Sequence, residues 1–347
     1  MYAATFRPYH RYFCPPLQTH HGEWRVREGI IVRLASSQEN QGRIGWGEIA
    51  PIPWFGSESF TQAWAYCQQL PPNLPPIPEL EIPAQLPACQ FGLVSAWLDL
   101  TGPETVLPPE AVRVASPQEN RPASLCGLLP TGAAALIHWP HLYNQGYRTL
   151  KWKIGVAPIA QELDCFQALL SDLPPTVTLR LDANGGLSVS EATAWLQACD
   201  RYPGRIEFLE QPLPPAQLAA MLTLNQQFAT PLALDESVAT LDQLDRCYHQ
   251  GWRGIYVLKP AIAGSPQRLQ QRCQDYGLDI VVSSVFETAI ARQAALRLAY
   301  QHSPTPRVPG FGTQHWFGDD PLQAAHPAQL WQALAESPCP TGNPTAD

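Results

Sequence analysis

From about residue 124 onward the sequence keeps one rhythm: a short apolar run, a polar turn, then an amphipathic stretch. The apolar runs are SLCGLL, TLKWKI, VTLRLDA, RIEFLE, LALDES, GIYVLK and DIVVSS; between them lie PIAQELDCFQALLSDL, SVSEATAWLQACD, PAQLAAMLTLNQQF and SPQRLQQRCQDYG. Strands alternating with helices of about 10 to 15 residues specify a parallel sheet, and seven or eight such units specify closure into an α/β barrel. An open doubly wound sheet is the rival arrangement. No GxGxxG follows the first strand, which weighs against it.

Residues 1 to about 95 read differently. IIVRLASS and GRIGWGEIAP predict antiparallel strands, and SFTQAWAYCQQL and ACQFGLVSAWLDL predict helices, together a small α+β domain. The tail after about residue 311, with HPAQLWQALAE as a helical segment, is expected to pack back on it. A length of 347 residues suits such a barrel with an appendage. LPPNLPPIPELEIP and VLPPEAVRVASPQENRP read as rigid surface connections. A net charge of -8 with 22 Lys+Arg and no basic stripe argues against nucleic acid or an anionic membrane as partner, and no obligate protein partner is evident. MYAATFRPYHRYF lacks the apolar core and cleavage site of a signal peptide, and no window holds 18 uninterrupted apolar residues, so the expected location is cytoplasmic. Nine cysteines stand singly, without CxxC pairs, which predicts reduced, mostly buried thiols rather than disulfides or zinc. The histidines are dispersed except for His20-His21, and no HExxH occurs.

Barrel enzymes place their chemistry at the C-terminal ends of strands. Here those ends carry Lys151 and Lys153, then Asp182, Glu210, Asp235 and Lys259, at steps of 29, 28, 25 and 24 residues from Lys153. Each step is one strand–helix unit, so the charged residues converge on the barrel axis. In TLKWKIG, Lys151 and Lys153 project to one face and Trp152 to the other. Two ammonium groups on an interior face need partners or must give up protons; the alternative is an edge strand with its lysines in water. Three carboxylates from adjacent strands, with no cysteine or histidine among them, make a hard-oxygen site suited to Mg²⁺, or Mn²⁺ in its place. Singly, an Asp in LDAN or LDES reads as a cap or turn residue; as an ordered set over consecutive strands they read as a site.

KWK followed by RLDAN, EFLEQP, ALDES and VLKP resembles the enolase superfamily, in its muconate-lactonising-enzyme-like subgroup, over essentially the whole chain. The resemblance implies a modified (β/α)₇β barrel of TIM type over residues 96–310, capped by an α+β domain over 1–95 that the tail 311–347 completes. It implies Asp182, Glu210 and Asp235 as metal ligands, and Lys153 and Lys259 facing each other across the substrate. Lys151 would assist Lys153, with Arg180 and Asn184 of RLDAN supporting the site. The implied chemistry removes a weakly acidic proton next to a carboxylate, with a divalent cation stabilising the enediolate. A lysine base must be neutral, whereas a free lysine titrates near ~10.4; a second ammonium group one pleat away acts in the required direction.

Within that subgroup, GWGEIAPIPWFGSESF, VVSSVFETAIAR and PGFGTQHWFGDD are most similar to the o-succinylbenzoate synthases. Epimerases of the subgroup carry an Asp-x-Asp element near the eighth strand to hold an ammonium group; here PRVPGFGTQHW has no acid until Asp319-Asp320, so the expected substrate is a small anion without an amine. The implied reaction is dehydration of 2-succinyl-6-hydroxy-2,4-cyclohexadiene-1-carboxylate, with Lys153 as base and Lys259 as a cation over the ring. Ser283 and Ser284 are expected to hold the succinyl carboxylate or else to cap the next helix, and Gly310 and Gly312 to offer backbone N–H groups. Glu236 and Glu287 are expected to orient other groups or to begin helices. The loop PPLQTHHGEWRVREG is expected to fold over the barrel mouth, and PIPWFG and QHWFG to serve packing. Two alternatives stand beside this reading: an N-acyl (N-succinyl) amino acid racemase using both lysines as bases, and a non-catalytic barrel. Buried like charges without chemistry would only destabilise the fold, which opposes the second.

Overall fold

Alternation in the first long apolar strand sets up the N-terminal layer. β1 (Tyr2–Thr19) and β2 (Gly22–Ser36) pair antiparallel; β3 (Ile44–Ile49), α1 (Phe60–Gln69), the short β4 (Asn73–Leu74) and α2 (Pro87–Thr101) follow. The antiparallel sheet has the order β3-β2-β1-β4. Side chains alternate between the faces of a strand. Ile30, Val32 and Leu34 of β2 therefore pack with Ile49, Ala63 and Leu93 on one face, while Ile31 packs with Tyr9, Leu330 and Leu334 on the other. α2 crosses β3 at backbone contact: a Cβ on Gly47 would stand 1.9 Å from the Gly92 carbonyl oxygen, so the crossing requires glycine. This helix belongs to the cap's core and runs to Thr101. The computed structural model describes residues 1–19, 22–36, 42–102, 125–303, 306–318, 320, 322 and 326–336. The segment VLPPEAVRVASPQENRP, His20-His21, Asp319 and Cys339 lie outside the described residues.

The second half alternates as its rhythm predicts. β5 (Gly127–Leu128), α3 (Ala134–Asn144), β6 (Thr149–Lys153), α4 (Ile159–Asp172), β7 (Thr178–Asp182), α5 (Val189–Cys199), β8 (Ile206–Glu210), α6 (Leu218–Gln227), β9 (Leu232–Leu234), α7 (Leu241–His249) and β10 (Ile255–Leu258) come first. Then follow α8 (Pro260–Ala263), α9 (Pro266–Asp275), β11 (Ile280–Val282), α10 (Ala289–His302) and α11 (Pro327–Glu336). β5 to β11 form a parallel sheet in sequence order. Residues 309–310 join its edges: Gly310 donates its N–H to Val282 (2.8 Å) and accepts from Ser284 (3.0 Å), and Cys126, just before β5, donates to Pro309 (2.9 Å). The sheet closes into a barrel, leaving no open edge there. Phe208, Ala233, Ile255, Val257 and Val281 fill its interior. Trp152 points outward, fully buried against the helices near Trp195 (ring centroids 6.1 Å apart), as the alternation in TLKWKI requires.

Cap and barrel meet where Ala50, Ile52 and Phe91 pack against Ala261, Ile262, Val285 and Ala291. α11 packs back on the cap through Leu330 and Leu334. All eight described cysteines are free, six of them buried. Among the described residues no helix is long and apolar enough to cross a membrane.

Candidate active site

Register brings the strand ends level. Lys153 stands opposite Asp182 in the β6–β7 pair, and Asp182 opposite Glu210 in the β7–β8 pair. Asp235 and Lys259 immediately follow β9 and β10. These five and Lys151 line one cavity of about 1040 Å³ between the barrel mouth and the cap. The chain contains only three lysines, and all three are here; the other 19 of its 22 Lys+Arg are arginine. Lysine usage alone therefore points to the site.

The lysines differ in their partners. Lys151 Nζ lies 2.7 Å from both Asp182 Oδ2 and Glu210 Oε1. Lys259 Nζ donates to Asp235 Oδ1 and sits 4.4 Å from the centroid of the Phe55 ring. Lys153 has no ion pair or side-chain hydrogen bond among the described residues. Lys151 is thus a counter-ion of two carboxylates, and its repulsion of Lys153 is offset accordingly. Against the downward push of burial, Asp182 and Glu210 hold Lys151 well above the ordinary lysine range. Asp182, against the upward push of burial, is held low by Lys151. Burial, then the Asp182 charge, pushes Glu210 up to about 8. Burial and Asp235 raise Glu236 to about 7.

These groups suit a hard divalent cation in kind. Asp182, Glu210 and Asp235 are oxygen donors without sulfur or imidazole, they crowd one another enough to raise Glu210, and Glu236 Oε2 is buried with no hydrogen-bond partner among the described residues. Their spacing is set by ammonium groups, with Lys151 between Asp182 and Glu210 and Lys259 on Asp235. No group of three His, Cys, Asp or Glu side chains stands at metal-ligand spacing among the described residues. Binding a cation there requires those ammonium groups to yield their places.

A frame of hydrogen bonds supports the carboxylates. Asn184 donates its backbone N–H to Asp182 Oδ1 (3.0 Å) and its Nδ2 to Glu236 Oε1 (3.1 Å), so Glu236 faces the cavity as well as opening a 3-10 turn. Arg180 donates to Glu207 (2.7 Å) and to the Val308 carbonyl (2.7 Å), tying β7 and β8 to the closing segment. Asn184→Ala is expected to lower turnover with the barrel folded, while Arg180→Ala is expected also to cost on the order of 3 kcal/mol, because it breaks a buried ion pair; urea unfolding beside steady-state kinetics separates the two. Gln211 accepts from the backbone N–H of Asp235 (2.9 Å) and Ser237 (3.2 Å) and donates to Ser237 Oγ (2.8 Å). Asn184, Gln211 and Phe286 are the non-glycine residues with positive φ among those described, at 44°, 37° and 62°. All three sit in the turns that follow barrel strands, where backbone strain clusters when a site over-determines its geometry.

The two serines divide. Ser283 lines the cavity, and its hydroxyl has no partner among the described residues. Ser284 Oγ donates to Glu287 (3.0 Å) and accepts from the Phe286 N–H (2.9 Å), so it shapes the loop; neither serine caps the helix, since Thr288 is the N-cap of α10. The Gly310 N–H, expected to face a ligand, instead closes the barrel, and Gly312 is not among the lining residues. Glu287 orients the loop through Ser284 and the Val285 N–H (2.6 Å).

The cap supplies the far wall. Pro15, Pro16, Leu17, Thr19 and Trp24 of the β1–β2 region line the cavity, as do Trp54 and Phe55 of PIPWFG and Trp316 of QHWFG. Those two segments were expected only to pack. Glu48, fully buried in the cap, accepts from Tyr9 Oη (2.6 Å), the Thr288 N–H (2.9 Å) and the Ala291 N–H (3.1 Å), fastening the start of α10 and with it the 283–287 loop. Arg27 donates to the Val285 carbonyl of the same loop (2.8 Å). Glu48→Ala leaves several buried donors unpaired and is expected to cost about 3 kcal/mol or more, seen as a lower urea midpoint and a raised KM. Gln211 and Glu236 directly follow Glu210 and Asp235, an adjacency visible in the sequence. Phe55 and Glu48 carry no such local signal.

The family model described as Enolase C-terminal domain-like matches residues 139–331, and that described as MenC, N-terminal domain matches residues 17–100. The chain is 40% identical over 325 residues to an o-succinylbenzoate synthase of Thermosynechococcus vestitus, covering 92% of this chain and 95% of that one. It is 30% identical over 299 residues to one of Photorhabdus laumondii, covering 83% of each. A crystal structure of o-succinylbenzoate synthase from Thermosynechococcus elongatus BP-1, complexed with Mg in the active site, matches with a TM-score of 0.83 at 38% identity, over 96% of this chain and 99% of that one. The L-Ala-D/L-Glu epimerase of Bacillus subtilis shares the fold at a TM-score of 0.71 and 20% identity, over 92% of this chain and 91% of that one.

Proposed function

The chain belongs to the enolase superfamily and, within it, to the o-succinylbenzoate synthases; from that premise we propose how its own side chains dehydrate 2-succinyl-6-hydroxy-2,4-cyclohexadiene-1-carboxylate to o-succinylbenzoate, a step toward menaquinone or phylloquinone. The observation that carries the roles is the asymmetry of the facing lysines. Lys153 has no ion pair or side-chain hydrogen bond among the described residues, whereas Lys259 is paired with Asp235 and set over Phe55.

Lys153 takes the proton next to the ring carboxylate, and the C–H electron pair passes into the enediolate. Lys153 then returns that proton to the departing hydroxyl, which leaves as water while the ring becomes aromatic. Lys259 stays protonated and lies over the ring, where a cation is attracted to the π-system as negative charge develops. Asp182, Glu210 and Asp235 would hold Mg²⁺, or Mn²⁺ in its place, and the ion when bound supplies fixed positive charge to the carboxylate of the enediolate. Ser283 donates its hydroxyl to the succinyl carboxylate. Lys151 balances Asp182 and Glu210, and Asn184 and Arg180 keep the carboxylates aimed.

Incubating the protein with the cyclohexadiene acid and Mg²⁺, and following formation of the aromatic product by ultraviolet absorbance, tests this directly. No product, together with efficient interconversion of N-succinyl amino acid enantiomers, would sink it. A second measurement addresses Lys259. Lys259→Ala is expected to lower kcat by on the order of 10²-fold, while α-proton exchange with solvent persists through Lys153. Lys259→Arg retains a cation and is expected to keep measurably more activity, although the wider guanidinium fits less well. Equal activities of the two variants would show that the charge is not what matters.

A further inference from the structure

Two arginines stand directly opposite each other in the β1–β2 pair, Arg11 across from Arg27, and both are buried, at 4% and 1% exposure. Like charges so placed repel, and burial adds to the cost. What the pair holds is the turn after β11. Arg27 donates from Nε to the Val285 carbonyl (2.8 Å), and Arg11 from Nη1 to the carbonyls of Phe286 (3.3 Å) and Glu287 (3.1 Å). Three successive carbonyls of the barrel are thus taken by two neighbouring side chains of the cap. We propose that Arg11 and Arg27 are paired positioning residues for recognition of the substrate's side chain, a role that rests on the reading of Ser283 as the succinyl contact: they fix the 283–287 turn against the cap so that Ser283 meets the distal carboxylate.

Arg27 also ties that turn to a second wall of the cavity. Its other hydrogen bonds run from Nη1 to the carbonyls of Glu28 (2.6 Å) and Pro51 (2.9 Å) and from Nη2 to that of Ala50 (2.5 Å), and Ile52 to Phe55, just beyond, line the cavity. All four acceptors of Arg27 among the described residues are backbone carbonyls, fixed in place, which a planar fork of donors can span and a single ammonium group cannot. Arg11 is paired with Asp320 and lies 3.6 Å from the centroid of the Phe317 ring, so the tail is tied to the same turn.

The turn needs holding. Phe286 sits at φ 62°, a conformation that a bulky residue keeps only where its surroundings impose it, and its ring is edge-on to Phe13 (5.2 Å) and Trp24 (5.5 Å) of the cap. The N–H groups of Val285 and Phe286 are satisfied inside the turn, by Glu287 and Ser284. Its carbonyls are satisfied from the cap, and the position of Ser283 is set by both.

The test is calorimetric binding of two ligands to the full chain in Mg²⁺: o-succinylbenzoate, and 2-butanoylbenzoate, in which a methyl group replaces the distal carboxylate. The wild type is expected to prefer the first. Arg27→Met and Arg11→Met are each expected to weaken o-succinylbenzoate by on the order of tenfold and the butanoyl compound by much less, with KM rising by a larger factor than kcat falls. Arg27→Lys and Arg11→Lys, which keep the charge without the fork, are expected to lose part of the preference, and they carry the test where circular dichroism shows a Met variant unfolded. Equal weakening of both ligands, the mark of a merely structural role, overturns the inference. So does a preference that Ser283→Ala abolishes and the arginine variants keep, and in that case the Ser283 assignment stands. A wild type that binds the two ligands equally removes Ser283 as the succinyl contact, and the inference with it.

Discussion

Replacing Lys153 with alanine is expected to lower kcat/KM by on the order of 10³-fold or more and to stop exchange of the substrate's α-proton with deuterated solvent. Both losses follow from one group making and reversing the proton transfer. The variant is a clean test because Lys153 is in no ion pair among the described residues, so its removal strands no buried charge and the barrel is expected to stay folded. Proton exchange read by NMR, beside product formation read by absorbance, separates abstraction from the later loss of water. Exchange that continues at the wild-type rate would remove Lys153 from the role of base. The racemase alternative makes a different demand, since each lysine must then act as base in turn.

Chelation of divalent metal is expected to abolish turnover, and Mg²⁺ to restore it. The reason lies in the charge balance: three buried carboxylates and the adjacent Glu236 crowd the barrel mouth, and burial with mutual repulsion pushes Glu210 up to about 8. Binding of the ion is expected to release protons, because protonated carboxylates must ionise to become ligands. Asp235→Asn is expected to lose both metal binding, measured by calorimetry, and activity. Its backbone is expected to hold, since Gln211 grips the Asp235 N–H rather than the side chain. Full activity in a verified metal-free sample would refute the ligand set.

The barrel and the order of its charged strand ends were legible because both are local. Each strand–turn–helix unit is written in about 25 to 30 consecutive residues, and a parallel barrel repeats that unit with its strand ends on one side. The alternation in TLKWKI likewise settled which way Lys151, Trp152 and Lys153 point, because the period of a strand is fixed by its backbone. The scarcity of lysine is a further signal in the sequence, but its meaning emerged only when all three lysines were seen to line one cavity. Tertiary structure alone decided which amino group is paired: Lys151 finds carboxylates on two other strands, and Lys153, two residues away on the same face, finds none among the described residues. It also decided that the Gly310 N–H serves barrel closure, and that Glu48 in the cap anchors Thr288 across 240 residues of sequence. Hydrogen bonds and ion pairs of that reach depend on how two separately patterned layers dock, and a short sequence window carries the pattern of each layer but not the geometry of their contact.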